Sequence, residues 1–193
     1  MPSYLEAFLI STGLVTLAEI GDKTQLLAFV LAARFRRAGP VILGIFIATV
    51  ANHAFAAAVG TWLTHLLGPE TLRWLLGLSF IAMAVWVMIP DKLDADEIQA
   101  PRFGVLGATI VAFFLAEMGD KTQVATVALA AQYEAFVAVV AGTTLGMMIA
   151  NVPAVYAGDR IAHRLPVRLI HVIAAVLFAL LGIAVLAGWP NAH

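Results

Sequence analysis

The 193-residue chain contains no cysteine. That removes disulfide staples, thiolate metal sites and cysteine nucleophiles. Charge is also scarce: Asp, Glu, Lys and Arg make up 12% of the residues, about half the usual ~25%. A net charge of −1 provides no basic field to hold nucleic acid. In their place, 62% of the residues are apolar and the mean hydropathy is +0.96. A water-soluble globule of this size cannot bury so much apolar surface. Soluble enzymes, disordered tails and nucleic-acid binders are excluded. The remaining class is an integral membrane protein, expected to be all-α and not an enzyme, with the lipid bilayer as its first partner.

A spanning helix needs roughly 20 apolar residues. Five polar breaks interrupt the chain, at Arg34–Pro40, Gly68–Glu70, Pro90–Glu97, Tyr133–Glu134 and Asp159–Arg168. They predict six helices, near 4–33, 41–66, 71–89, 103–131, 136–161 and 168–188. Apolar residues run continuously rather than alternating, which suits helices and not a β-barrel. Met1–Glu6 lacks a basic region, so no cleaved signal peptide is expected. Arg34, Arg36, Arg37, Lys92, Arg102, Arg160, Arg164 and Arg168 lie in or beside the odd-numbered loops, and only Arg73 lies near an even one. The positive-inside rule then puts the odd loops in the cytoplasm and both termini outside. Trp62, Trp74, Trp86 and Trp189 fall near helix ends, as interfacial anchors do.

The chain repeats itself. Leu17-Ala-Glu-Ile-Gly-Asp-Lys-Thr-Gln25 recurs as Leu115-Ala-Glu-Met-Gly-Asp-Lys-Thr-Gln123, identical at eight of nine positions with an offset of 98. Leu31-Ala32-Ala33 returns as Leu129-Ala130-Ala131, Gly44 as Gly142 and Gly60 as Gly158, all at that offset. This reads as a duplication: repeats 1–90 and 101–193, joined by an acidic cytoplasmic linker at 91–100. Each half holds three helices, an odd number, so the second half enters the membrane from the opposite side. The fold expected is therefore two inverted-topology three-helix repeats, an arrangement common among secondary transporters. A pseudo-two-fold axis in the membrane plane would bring the first and fourth helices together.

Six charges lie inside otherwise apolar helices: Glu19, Asp22, Lys23, Glu117, Asp120 and Lys121. Each costs about 2.5–3.5 kcal/mol at a helix centre, so they need mutual pairing, water, an ion or protons. Glu19 and Asp22 stand i,i+3, as do Glu117 and Asp120, and each Lys stands i,i+4 from its Glu. Gly21 and Gly119 weaken the helices there, and local unwinding would free carbonyls as ligands. Thr24, Gln25, Thr122 and Gln123 add neutral oxygens. Four carboxylates with amide and carbonyl oxygens describe a hard-cation site, for which Ca2+ and Mn2+ fit best. Acids crowded in low dielectric repel one another, so protons can take the place of a departing cation. That competition is the simplest basis for antiport, with Glu19, Asp22, Glu117 and Asp120 serving both metal and proton. The rival reading makes each Lys a neutralising partner of its own acid and the motif helix glue. It leaves the two net negative charges unexplained.

Asn52, His53 and Asn151 lie inside the second and fifth helices, with Asn151 equivalent to His53 at offset 98. They serve either as a second layer around the site or as interhelical hydrogen bonds. His171 reads as a packing or interfacial residue, Met118 as core filling, and Asp159 and Arg160 as the cytoplasmic end of the fifth helix.

Two copies of E-x-G-D-K-T in a six-helix chain resemble the calcium/manganese:proton antiporter family, known as uncharacterised protein family 0016. Its eukaryotic relatives include the Golgi transmembrane protein 165. The resemblance covers the whole chain. It implies a Mn2+ or Ca2+ transporter that exchanges its cargo for protons, with bacterial members serving in manganese export. The family's motif acids correspond to Glu19, Asp22, Glu117 and Asp120, and its polar positions to Lys23, Thr24, Lys121 and Thr122. No tightly bound cofactor is implied, since the divalent ion is cargo. Manganese efflux across a bacterial plasma membrane is the leading expectation. A cation channel using the acids as a selectivity ring, a small-solute exporter of similar architecture and a membrane scaffold are the rivals. Six helices can close around one site and also permit a homodimer.

Overall fold

The computed structural model describes residues 3–89, 104–157 and 166–188. The linker at 91–100, Asp159, Arg160, Arg164, Gly158 and Trp189 lie outside the described residues. Among the described residues there are eight helices and no strand: α1 (Tyr4–Glu19), α2 (Lys23–Phe35), α3 (Ala38–Leu66), α4 (Pro69–Trp86), α5 (Gly104–Glu117), α6 (Lys121–Tyr133), α7 (Phe136–Ala157) and α8 (Val167–Leu186).

Local chemistry sets several of these boundaries. The Ser3 hydroxyl accepts the Glu6 amide proton at 3.1 Å and caps α1. Pro69 opens α4, where its missing N–H is no loss. Helices α2 and α6 both end on a left-handed residue, Arg36 at φ 51° and Glu134 at φ 48°. These are equivalent positions at offset 98, and neither is the glycine that usually ends a helix this way.

The expected first and fourth helices are each two helices. Helix α1 meets α2 at a bend of 72°, broken at residues 20–22. Helices α5 and α6 part at residues 118–120. Both breaks fall on the repeated motif. Among the described residues, three helices are long and apolar enough to cross a membrane alone: α3, α7 over Phe136–Tyr156, and α8. The bent α1–α2 pair makes up to a fourth, as a broken span or a re-entrant loop.

Packing joins the two halves of the chain rather than separating them. Helices α1 and α2 lie on α7, α5 and α6 lie on α3, and α4 packs on α8. One apolar cluster runs through α1, α4, α6, α7 and α8, around Leu14, Phe80, Leu129, Val139 and Phe178. A second joins α2, α3, α5 and α7, around Leu27, Ile45, Phe113 and Val155. Phe80 and Phe178, again 98 residues apart, stack on each other with ring centroids 6.5 Å apart. The outer faces stay apolar, with Phe55, Trp62, Val137 and Leu180 exposed, as a lipid-facing surface requires.

Glycines set the closest helix approaches. A Cβ on Gly142 would stand 2.5 Å from the Phe8 carbonyl and 3.0 Å from Ser11 Cβ. A Cβ on Gly44 would stand 2.6 Å from Thr109 Cβ. Gly44 corresponds to Gly142, and Ser11 to Thr109. Substituting Gly142→Ala therefore overpacks the α1–α7 contact, which typically costs about 1–3 kcal/mol. Gly13→Ala, where the added carbon meets nothing within 4 Å, gains helix propensity instead. Thermal unfolding in detergent should place the Gly142 variant below the parent and the Gly13 variant at or above it.

Candidate metal centre

The repeated motif works as a helix-breaking cassette. Glu19 is the last residue of α1, and Gly21 follows at φ +85°. In the second copy, Glu117 ends α5 and Gly119 stands at φ +75°. Glycine occupies this left-handed region without a steric penalty. The chain then turns back: the Asp22 amide donates to the Glu19 carbonyl at 3.0 Å, and the Asp120 amide to the Glu117 carbonyl at 3.1 Å. Asp22 and Asp120 are the N-cap residues of α2 and α6. The Asp22 carboxylate accepts the Lys23 amide proton at 2.8 Å. The glycine amides exposed by each break are satisfied by the last motif residue. Gln25 Oε1 accepts from Gly21 at 3.0 Å, and Gln123 Oε1 from Gly119 at 2.7 Å. The two glutamines are therefore braces of the break through those oxygens. Their amide groups reach the opposite half, Gln25 to the Ala150 carbonyl at 2.9 Å and Gln123 to Asn52 Oδ1 at 3.3 Å.

The breaks bring the acids of both copies together. Glu19, Glu117 and Asp120 are all buried, and one carboxylate oxygen from each lies within 4.8 Å of the others. Asp22 stands outside this trio. It pairs instead with Lys121 at 3.3 Å, both side chains fully buried. Lys23 pairs with Asp120, also at 3.3 Å, with 22% of the lysine side chain exposed. The i,i+4 pairing of each Lys with its own Glu does not form. Once α1 ends at Glu19, residues 19 and 23 no longer stack on one helix, and the lysine turns to the aspartate of the other copy.

The two glutamates differ in their neighbours. The Thr122 hydroxyl donates to Glu117, and His53 Nε2 lies 3.8 Å from Glu117 Oε1. Neither oxygen of Glu19 has a hydrogen-bond partner, nor does the hydroxyl of Thr24, the counterpart of Thr122. A bare buried carboxylate is costly unless a cation or a proton neutralises it. Three carboxylates this close can all ligate one divalent cation, whose bonds to oxygen run about 2.0–2.6 Å. The donors are hard oxygens, the set that suits Mg2+, Ca2+ and Mn2+.

Asn52 bridges helices, donating to the Phe114 carbonyl at 3.1 Å while accepting from Gln123. Asn151 donates within α7 to the Met147 carbonyl at 3.0 Å, and its Oδ1 has no partner. His171 is not simple packing. Its Nε2–H donates to the Ile20 carbonyl at 2.7 Å, the group released by the first break. Val167, one turn earlier on α8, packs against Gly21. The available signal was a lone imidazole in an apolar helix, but its target 151 residues away carries none. Met118 is exposed rather than filling the core, because the break turns it outward.

The crossed ion pairs differ in burial, and so should their removal. Lys121→Met takes away the ion pair of a fully buried carboxylate, which typically costs about 3–5 kcal/mol. Lys23→Met acts on a partly exposed pair and should cost clearly less. Thermal unfolding of both variants in one detergent checks the order; equal losses would contradict it.

Comparison with known proteins identifies the family. The family model described as "Divalent cation/proton antiporter GDT1" matches residues 7–95 and again 105–192, once in each half. A Vibrio cholerae protein named "Putative manganese exporter" is 51% identical over 176 residues, covering 91% of this chain and 88% of its own length. A GDT1-like protein of Synechocystis is 31% identical over 214 residues, covering 97% and 98%. GDT1-like protein 3 of Arabidopsis thaliana is 26% identical over 204 residues, covering 92% and 69%. No solved structure matches the chain. With the family model spanning both halves and close relatives matched end to end, the chain belongs to the GDT1 family of divalent cation/proton antiporters.

Proposed function

We propose that this protein exports Mn2+ from the cytoplasm in exchange for protons, with Ca2+ as the second ion its oxygen donors accept. The observation that carries this reading is the trio of buried carboxylates from two helix breaks, one of them, Glu19, with no hydrogen-bond partner. The name of the Vibrio cholerae relative supports both the metal and the direction. The cation binds Glu19, Glu117 and Asp120. When it leaves, protons neutralise the same oxygens and return in the opposite direction. Asp22, the fourth motif acid, joins in the alternate conformation.

In this reading the chain is two inverted three-helix repeats, 1–90 and 101–193, with six spans and both termini outside. The matched pairs support it. Gly44 against Thr109 mirrors Gly142 against Ser11. Gln25 bound to Ala150 mirrors Gln123 bound to Asn52. Lys23 with Asp120 mirrors Lys121 with Asp22. Each relation maps onto the other by adding 98 to one residue and subtracting it from its partner, which is what a two-fold axis does. Against this symmetry, the acid trio is lopsided, since it contains Asp120 and omits Asp22. Rocking between the two mirror arrangements would trade Asp120 for Asp22 and open the site to the other side. Such a trade is how an inverted repeat alternates access.

Proteoliposomes with an imposed pH gradient test the exchange. Mn2+ uptake should follow the proton gradient and fall at least tenfold in Glu19→Gln and in Glu117→Gln. Uptake that ignores the gradient would mark a channel, and uptake intact in both variants would dismiss the trio as the site. The absence of native cysteine makes topology testable in the same preparation. A single cysteine at Arg36 should react with an impermeant maleimide only from the cytoplasmic side, and one at His65 only from outside.

A further inference from the structure

We propose that His53 is a nitrogen ligand that makes the site discriminate a first-row transition ion such as Mn2+ from Ca2+ and Mg2+. This rests on the transport reading above and extends it to selectivity. His53 is fully buried on α3, and neither ring nitrogen has a hydrogen-bond partner. Its Nε2 lies 3.8 Å from Glu117 Oε1. That is too long for a hydrogen bond, so the imidazole does not hold Glu117 in place. It does suit His53 and Glu117 as two donors on one ion, with His53 outside the 4.8 Å set of the three carboxylates and meeting the ion from its Glu117 edge. With bonds of about 2.0–2.6 Å, two ligands of a common cation lie at most about 4–5 Å apart.

The equivalent position in the other half makes the case specific. Adding 98 to His53 gives Asn151, which is also fully buried and has an unpartnered Oδ1. The motif copies around these two residues are the same in every acid. They differ here in the donor atom offered, nitrogen in one half and oxygen in the other. An all-oxygen site has little basis for preferring Mn2+ to Ca2+. One imidazole supplies it: Mn2+ shares the preference of Ca2+ and Mg2+ for oxygen, but as a first-row transition ion it gains more than they do from a single nitrogen donor. Unlike an acid, a neutral imidazole adds no negative charge, so the two net negative charges left for the cargo are unchanged.

The test uses the purified full chain in detergent. Mn2+ binding is first measured from the loss of the free-ion EPR signal, with Glu19→Gln as the control for the acid site. Pulsed EPR on the bound ion then reads nitrogen coupling directly. Wild type should show 14N modulation. His53→Gln should still bind Mn2+, about tenfold more weakly, without that modulation. Ca2+ affinity should hardly change, so the Mn2+-over-Ca2+ preference falls about tenfold. His53→Asn, which copies the residue of the other half, should behave alike and guards against a variant that misfolds. The proposal is overturned if wild-type-bound Mn2+ shows no nitrogen coupling, if the coupling survives in both variants, or if Mn2+ and Ca2+ affinities fall by the same factor. Failure of wild type to bind Mn2+ would overturn the transport reading as well, and it appears before any spectrum is recorded.

Discussion

Repulsion among Glu19, Glu117 and Asp120 inside a low-dielectric bundle is the constraint on which the rest of this structure depends. Each carboxylate is buried, and the three meet within 4.8 Å. Coulomb repulsion at that separation is strong where water is scarce. Such a cluster persists only with counter-charge, and the chain supplies part of it. Lys23 and Lys121 bring two positive charges to four motif acids, each crossing to the other copy. A deficit of two charges remains, matching a divalent cation or its replacement by protons. The lysines thus tune the site's charge and also tie the halves together.

The backbone serves the same end. A continuous helix could not converge three acids from two motif copies on one point. The left-handed glycines stop α1 and α5 directly after their glutamates, and the glutamines satisfy the amides that the break exposes. Irregular backbone at membrane depth is tolerated where its polar groups are met by protein or line a cavity. The His171 imidazole on the Ile20 carbonyl is one such partner. Among the described residues, α8 packs on the first break, while a Cβ on Gly119 at the second would meet nothing within 4 Å.

Much of this was legible in the sequence. Membrane class followed from charge and hydropathy. Weakness at Gly21 and Gly119 followed from residue type, and the acids pointed to a hard cation. What escaped was geometry set by tertiary packing. Helical spacing paired Lys23 with Glu19, but the break redirects it to Asp120, a contact no local rule encodes. Likewise, spacing made Asp22 the equal of Asp120, yet the structure puts only Asp120 with the two glutamates. Gln25 and Gln123 were read as site oxygens by chemistry, whereas hydrogen-bond demand at the glycine amides assigns those oxygens to the backbone. His171 showed an imidazole but not its distant carbonyl.

Competition between protons and a divalent cation for one set of carboxylates is the centre of this account. Its most direct measurement is proton release on Mn2+ binding, followed in weakly buffered detergent solution by calorimetry in buffers of different ionisation enthalpy. The account predicts that Mn2+ displaces protons from the purified protein, fewer as pH rises, and that Glu19→Gln diminishes the release. Mn2+ that binds stoichiometrically without releasing any proton at any pH would contradict it.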